Sequence, residues 1–370
     1  MSDRPIAPIS RLHLERITGP YGIWQHADGV APDEVYGTCV DDVARALTVD
    51  LLQRHQLGWE AVADTARRSM AYLVAAFNPE AGGFHDFRNA EGAWLDTIGS
   101  QDCQGRALMS LGIAASQAPE VRLRSEARAL FGAALPAAHR LSSPRAIASA
   151  LLGCDAVLAG GADPETERAF SHLVGRLRRV FSGIDIDGDW PWPEPELTYE
   201  NALLPHALIA AGRRTQDLGL RRVGLSVLDW LIAIQTSRQG LFTPVGSDGW
   251  WSRGGTRSRW DQQPIEATAL ILAAAVAFEV TEDAAYRRAA EAAYAWFLGD
   301  NEAGLVVADV ATGGCHDGLS EAEVNLNQGA ESTLMWLTAV ETMRGLRARS
   351  AAVRARRTRD SAPVLMGVRS

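Results

Sequence analysis

The chain has 370 residues, 47% of them hydrophobic and 22% charged, which is enough apolar material for two ordinary domains or one closed barrel. A net charge of −9, with no basic stripe across the main body, argues against a nucleic acid as partner. All 36 basic residues are Arg, so Schiff-base lysines, a Walker lysine and a lysine general base are excluded.

The N-terminus, MSDRPIAPISRL, lacks the charged-then-apolar pattern of a leader, and residues 8–18 read as a short amphipathic helix ending at Gly19-Pro20. Residues 21–39 read as a loop holding Trp24 and His26. From Asp41 the spacing of Ala44, Leu47, Val49, Leu51 and Leu52 predicts a helix, and a second follows over about residues 60–77. A Gly-rich loop with His85 and Trp94 leads into a helix from Asp102, with a partner over 121–139. Ser143 as N-cap and Pro144 at the first helical position open a third helix, paired with 165–181. The stretch 187–208, DGDWPWPEPELTYENALLPHAL, sets Trp190, Trp192, three prolines and five carboxylates ahead of an apolar helix that 218–236 pairs. A loop with Trp250, Trp251 and Trp260 precedes the helix from Pro264, paired with 284–298. The last loop carries His316 and leads into a helix through Glu331. The Arg-rich tail, 346–370, is expected to be disordered.

Cys39, Cys103, Cys154 and Cys315 are scattered and form no CxxC pair, so neither a zinc site nor a disulfide framework is indicated. A reducing cytoplasm fits this usage. No window holds about 18 uninterrupted apolar residues, so no membrane span is expected.

The polar helix starts are Asp41, Asp102, Arg145, Asn201, Glu266 and Glu331, and each interval between them leaves room for two helices and a loop. Six helical hairpins follow, with the N-terminal helix as the partner of the sixth. Helices that follow the elaborate loops carry few charges and should be buried nearly all round, whereas the alternate ones carry Arg and Glu on one side. An open solenoid of hairpins is the rival arrangement. Long aromatic loops on one side only, against short turns on the other, favour closure with a site at one end. The expected fold is all-α: an (α/α)6 toroid with inner and outer helix rings, one domain over 1–345.

The strings YGTCVDDVARAL, GSQDCQGRALMSLG, SPRAIASALLG, WPWPEPELTYENALLPHAL, QPIEATALILA and NLNQGAESTLMWL, in that order, resemble the motifs of a bacterial all-helical family. That family occurs alone or fused behind glycosyltransferase domains, and it resembles members of the six-hairpin glycosidase-like superfamily. The match spans about residues 20–345. Val43 stands where the family commonly has Asn, and Pro193 and Pro195 surround Glu194 where it reads WPWFED; no carboxylate is lost by either change. The resemblance implies a carbohydrate-active enzyme and, first, an inverting glycoside hydrolase with two carboxylates across the toroid mouth. It also leaves open a phosphorylase using Arg45, Arg106 or Arg145, and a non-catalytic glycan-binding partner of a glycosyltransferase. A sugar epimerase built on paired loop histidines, with His26, His85 and His316 as candidates, is a further alternative.

The mouth carboxylates are Asp41, Asp42, Asp102, Glu194, Glu200, Glu266 and Glu331. Glu194, between two prolines beside Trp192, is the expected general acid, because apolar walls favour the protonated form. Asp42 or Asp102, at positive helix N-termini, is the expected base. Taken alone, each acidic helix start is a cap, and Glu266 or Glu331 reads equally as a partner of the arginines in a buried network. Trp24, Trp190, Trp192, Trp250, Trp251 and Trp260 are candidate platforms for sugar rings, or else packing residues. His26, Asp41, Glu200, Asn201, Gln263, Glu266, His316, Asn327, Gln328 and Glu331 are candidate ligands of substrate hydroxyls. No histidine has i, i+4 spacing with another ligand, so no metal is expected, and no cofactor is implied.

Overall fold

A computed structural model describes residues 4–360. Twelve α-helices occur among them: α1 (Leu12–Arg16), α2 (Val40–Leu57), α3 (Ala63–Ala76), α4 (Gln101–Gln117), α5 (Val121–Ala134), α6 (Pro144–Ala159), α7 (Pro164–Val180), α8 (Leu203–Arg214), α9 (Leu218–Ile234), α10 (Pro264–Thr281), α11 (Ala284–Phe297) and α12 (Ala330–Asp360). The even-numbered helices form the inner ring. Each touches the next, and α12 returns to touch α2, so the ring is closed. The fold is the expected (α/α)6 toroid.

Helix composition decides the layer. In α7, Ala169, Phe170, Leu173, Val174 and Leu177 lie on one buried stripe, and Arg and Glu cover the opposite face, as a helix with one wet side requires. In α10 the apolar residues run all round, because neighbours α8, α11 and α12 leave little of it in water. It is long and apolar enough to cross a membrane, and 72% of it is buried inside the protein.

The turns that link each inner helix to its outer partner are two to five residues long. The connections that lead into the inner helices are long and gather at the other end. Two of them, before α2 and before α4, share a small antiparallel sheet where loops were expected: β1 (Thr18–Gly19), β2 (Gly22–Asp28), β3 (Ala31–Cys39) and the strand Phe87–Arg88. A register shift between Trp24 and His26 breaks the simple alternation that would have marked β2 in the sequence.

The N-terminal helix is shorter than expected, five residues in place of eleven, because Thr18 already pairs with Ile23 in the β1–β2 hairpin. Residues 4–17 occupy the sixth outer place as an irregular segment followed by the short α1. Ala7 N–H donates to the Tyr294 hydroxyl of α11, Arg344 of α12 donates to the Ala7 carbonyl, and Arg11 pairs with Asp50 of α2. The expected disorder from residue 346 is corrected as far as Asp360. Buried Leu346 and Ser350 keep α12 docked, and Arg347, Arg349 and Arg356 pair with Glu291, Glu279 and Glu282 of the α10–α11 hairpin and its turn. Residues 361–370 of that tail lie outside the described residues.

The tightest joint in the inner ring is α4 against α6, where backbone meets backbone. A Cβ on Gly112 would stand 2.2 Å from the Gly153 carbonyl oxygen, and one on Gly153 would stand 2.4 Å from that of Leu108. Gly153→Ala should therefore destabilise the protein by about 1–3 kcal/mol through overpacking. Gly132→Ala, on α5 with open space around it, should be neutral or stabilising. Denaturant unfolding of the two variants checks this, and equal stability would contradict the close approach.

Candidate active site

Four inner helices carry a carboxylate in their first turn: Asp41 and Asp42 in α2, Asp102 in α4, Glu266 in α10 and Glu331 in α12. The positive ends of the helix dipoles favour them there. Because the ring brings these ends together, the acids converge and need cations between them. Three buried arginines provide the charge. Arg45 lies between Asp42 at 2.9 Å and Glu331 at 2.7 Å. Arg106 lies between Asp41 at 2.7 Å and Glu200 at 2.9 Å. Arg145 donates to Glu194 at 2.8 Å, to the Tyr199 carbonyl and to Thr198, and stacks on the Tyr199 ring. Asn201 passes the chain of bonds on to Glu266 at 3.0 Å. Glu200 has φ of +48°, a left-handed conformation uncommon outside Gly, and this bend precedes its bond to Arg106.

Above the arginines a cleft of about 650 Å³ opens to solvent. Asp41, Asp102 and Glu331 line it with Arg45, Arg106 and Trp250. Asp102 differs from the other two acids in that its partners are hydroxyl groups, Ser143 Oγ at 3.0 Å and the Tyr199 OH. Gln101 and Gln263 add amides to the wall. Trp250 also has positive φ, and its carbonyl accepts from Ser258 N–H across a loop that Arg257 fastens through the Ile234 and Thr243 carbonyls. Below the arginines lies a separate apolar cavity of about 250 Å³ on the ring axis, with Arg45, Arg106 and Glu200 in its wall and His206 exposed to it. Burial holds His206 down to about 4, helped by Arg213.

Of the residues singled out in the sequence, Asp41, Asp102, Trp250, Gln263 and Glu331 meet in the cleft. Asp42 is buried beneath it, fastened to Arg45 and to the Cys39 thiol. Glu194 is outside the cleft wall, held by Arg145 in place of apolar neighbours. Trp190 and Trp192 are 8% and 3% exposed and serve as packing rather than as platforms. They wedge against Trp230 of α9 and their indole N–H groups donate to the Glu194 and Glu196 carbonyls, so the rigid Pro-rich loop turns its aromatics outward to the outer ring. Trp251 joins that cluster. Trp24 is buried over Gly19, and Trp260 stacks under Arg259.

Glu200, Asn201 and Glu266 belong to the buried network and not to the cleft wall. Asn327 accepts from Gly29 N–H and Gln328 donates its own N–H to the Gly29 carbonyl, so this pair clasps the β2–β3 turn. His26 is exposed against Tyr36, and His316 lies within the last loop, its backbone N–H on the Val307 carbonyl. His85 stacks on Trp94. None of the three lines the cleft. Sequence reasoning missed Gln101 and Tyr199 as cleft residues. Tyr199 stands two positions before Asn201, the polar residue in the turn ahead of the fourth inner helix, and that place was its signal.

Burial also acts on acids that the cleft does not reach. Asp86, in the loop before α4, is pushed up to about 7 by burial and by the charges of Asp41 and Asp96, and its Oδ1 lacks a hydrogen-bond partner. Burial raises Asp42 against the pull of Arg45. It raises Glu266 to about 7 against its bonds from Asn201.

The architecture is similar to that of a sugar epimerase from a ruminal bacterium, with a TM-score of 0.68 and 12% identity over 89% of this chain and 94% of that one. It is similar to D-mannose isomerase, with a TM-score of 0.69 and 13% identity over 91% and 94% of the two chains. A GH76 α-mannanase from Bacteroides thetaiotaomicron gives 0.63 and 11% over 92% and 95%. Likeness at these identities shows the fold alone. No family model and no curated protein matches the sequence.

Glu266 generates a prediction about pH. Its folded value, about 7, lies above the ordinary glutamate value of 4.5, so the folded state holds the proton more tightly than the unfolded chain. Its contribution to stability is therefore complete below about pH 4.5 and is lost as pH rises through about 7. Wild type should lose stability relative to Glu266→Gln between these limits, as measured by urea unfolding at both ends. A stability difference independent of pH would contradict the assignment.

Proposed function

We propose that the chain is a carbohydrate-active enzyme that cleaves a glycosidic bond with inversion, in the cleft above the arginine layer. The observation that carries this reading is the meeting of Asp41, Asp102 and Glu331 with Trp250 around one open cleft. Inverting hydrolysis needs one carboxyl to protonate the leaving oxygen and another, on the far side of the sugar, to take a proton from water. Asp102 suits the acid role. Its oxygens meet only hydroxyl groups, which exchange donor and acceptor roles as a proton leaves. Glu331 suits the base role, since Arg45 grips it through Oε2 alone and its side chain is 45% exposed. Asp41, fixed by Arg106 between them in the order of the ring, faces the positive charge that develops at the sugar. Trp250 offers the one indole in the cleft wall for stacking on a pyranose.

The same geometry weighs against the neighbouring readings. A phosphorylase needs a cation to receive phosphate, and both arginines of the cleft are already shared between two carboxylates each. An epimerase built on paired loop histidines would need an imidazole in the cleft; His26, His85 and His316 are outside its wall, and His206 lies below the arginine layer.

Incubation with a panel of neutral oligosaccharides should release new reducing ends without added phosphate, with the first product of inverted anomeric form by proton NMR. Mass-neutral conversion of the sugar, or binding without turnover, would overturn the hydrolase reading. Asp102→Asn and Glu331→Gln should each lower kcat by about 10²-fold to 10⁴-fold while the fold is kept. Glu194→Gln should leave kcat within about tenfold of wild type, because its carboxylate supports Arg145 outside the cleft. Equal losses in all three variants would remove the distinction drawn between cleft and network acids.

A further inference from the structure

On the outer wall, α2, α3 and the β1–β2 hairpin enclose another cavity of about 260 Å³, unconnected with the catalytic cleft in its lining. Leu14, Ile23, Val43, Ala71, Tyr72 and Ala75 give it apolar walls. Asp50 of α2 also lines it and is only 1% exposed. Its Oδ1 takes the Arg11 guanidinium at 2.6 Å, while its Oδ2 is buried with no hydrogen-bond partner. A buried carboxylate oxygen without a donor is costly, and a ligand that brought one would relieve it.

Two further lining residues add the opposite charge. Arg68 on α3 is exposed, and Arg88 lies 4.6 Å over the Tyr21 ring with Nε on the Gly92 carbonyl. Neither has a carboxylate partner among the described residues. The cavity thus combines an unfilled acceptor, an apolar body and two cations not neutralised by the protein.

We propose that this cavity is a second ligand site, one that takes a small amphiphilic organic anion. The ligand's carboxylate meets Arg68 and Arg88, its apolar or aromatic body fills the walls beside Tyr21 and Tyr72, and a hydroxyl or ammonium at its far end donates to Asp50 Oδ2. The site also lies behind the cleft scaffold. Val43 follows Asp42 directly, and the Tyr72 hydroxyl bonds Thr38 Oγ1 at 2.9 Å, one residue before Cys39, whose thiol holds Asp42.

The test uses the full chain and 4-hydroxyphenylacetate as probe, with binding followed by calorimetry and saturation-transfer NMR. Saturable binding is expected, weakened about tenfold or more for phenylacetate, which lacks the donor, and for 4-methylphenol, which lacks the anion. Ala75→Trp, at an exposed wall position that the indole would fill, should abolish binding, and Arg88→Ala should weaken it by a similar factor. Asp50→Asn should remove the preference for the hydroxylated probe, and circular dichroism shows whether each variant keeps its helices. No saturable binding up to about 10 mM would overturn the proposal. So would equal affinity for all three probes, or binding unchanged in both Ala75→Trp and Arg88→Ala, which would place the probe elsewhere.

Discussion

The structure depends on holding like charges together. Closing six helices into a ring brings their N-termini to one end, and the dipoles there draw acids into the first turns. Left alone, those acids would repel one another in a poorly solvated place. Arg45 and Arg106 each span two carboxylates, and Arg145 ties the α6 start to the loop before α8. The arrangement therefore serves two ends at once. It joins neighbouring inner helices across their starts, and it forms a charged floor above which three carboxylates remain open to solvent.

The ring was legible because it rests on long, repeated signals. Apolar spacing, N-cap residues such as Ser143 and the regular return of polar helix starts are local features; Ser143 caps α6 as expected, while Asn201 falls in the turn just ahead of α8. The end at which the long connections gather and the cleft opens was legible too, from the inequality of the connections. What the sequence did not disclose is direction. Trp190 and Trp192 carry the same composition whether they face a sugar or an outer helix, and their burial against Trp230, some forty residues later in the chain, decided the matter. Glu194 shows the same limit, since its neighbours in sequence are prolines but its partner in space is Arg145.

Among adjacent acids, burial separated roles that the sequence could only say must differ. Asp41 reaches the cleft and Asp42 is fastened under it, although the two are consecutive. One step along a helix turns a side chain by about 100°, enough to pass from a wall to a core. Asp86 illustrates the converse. It comes from a loop with no periodic signal, yet folding places its charge beside Asp41, a proximity that no spacing in the sequence records.

The inner ring also contains one joint that no hairpin spans, the contact of α12 with α2. Every other pair of neighbouring inner helices is linked through an intervening outer helix, so its closure is short in chain terms. At α12 and α2 the loop to be closed is nearly the whole domain, and its entropic cost is the largest in the molecule. Residues 4–17 lie across this joint like a clasp, held by Tyr294 and Arg344 on one side and by Asp50 on the other. The clasp and the Arg45–Glu331 pair are therefore contacts between the two ends of the chain, and both depend on α12 lying against α2.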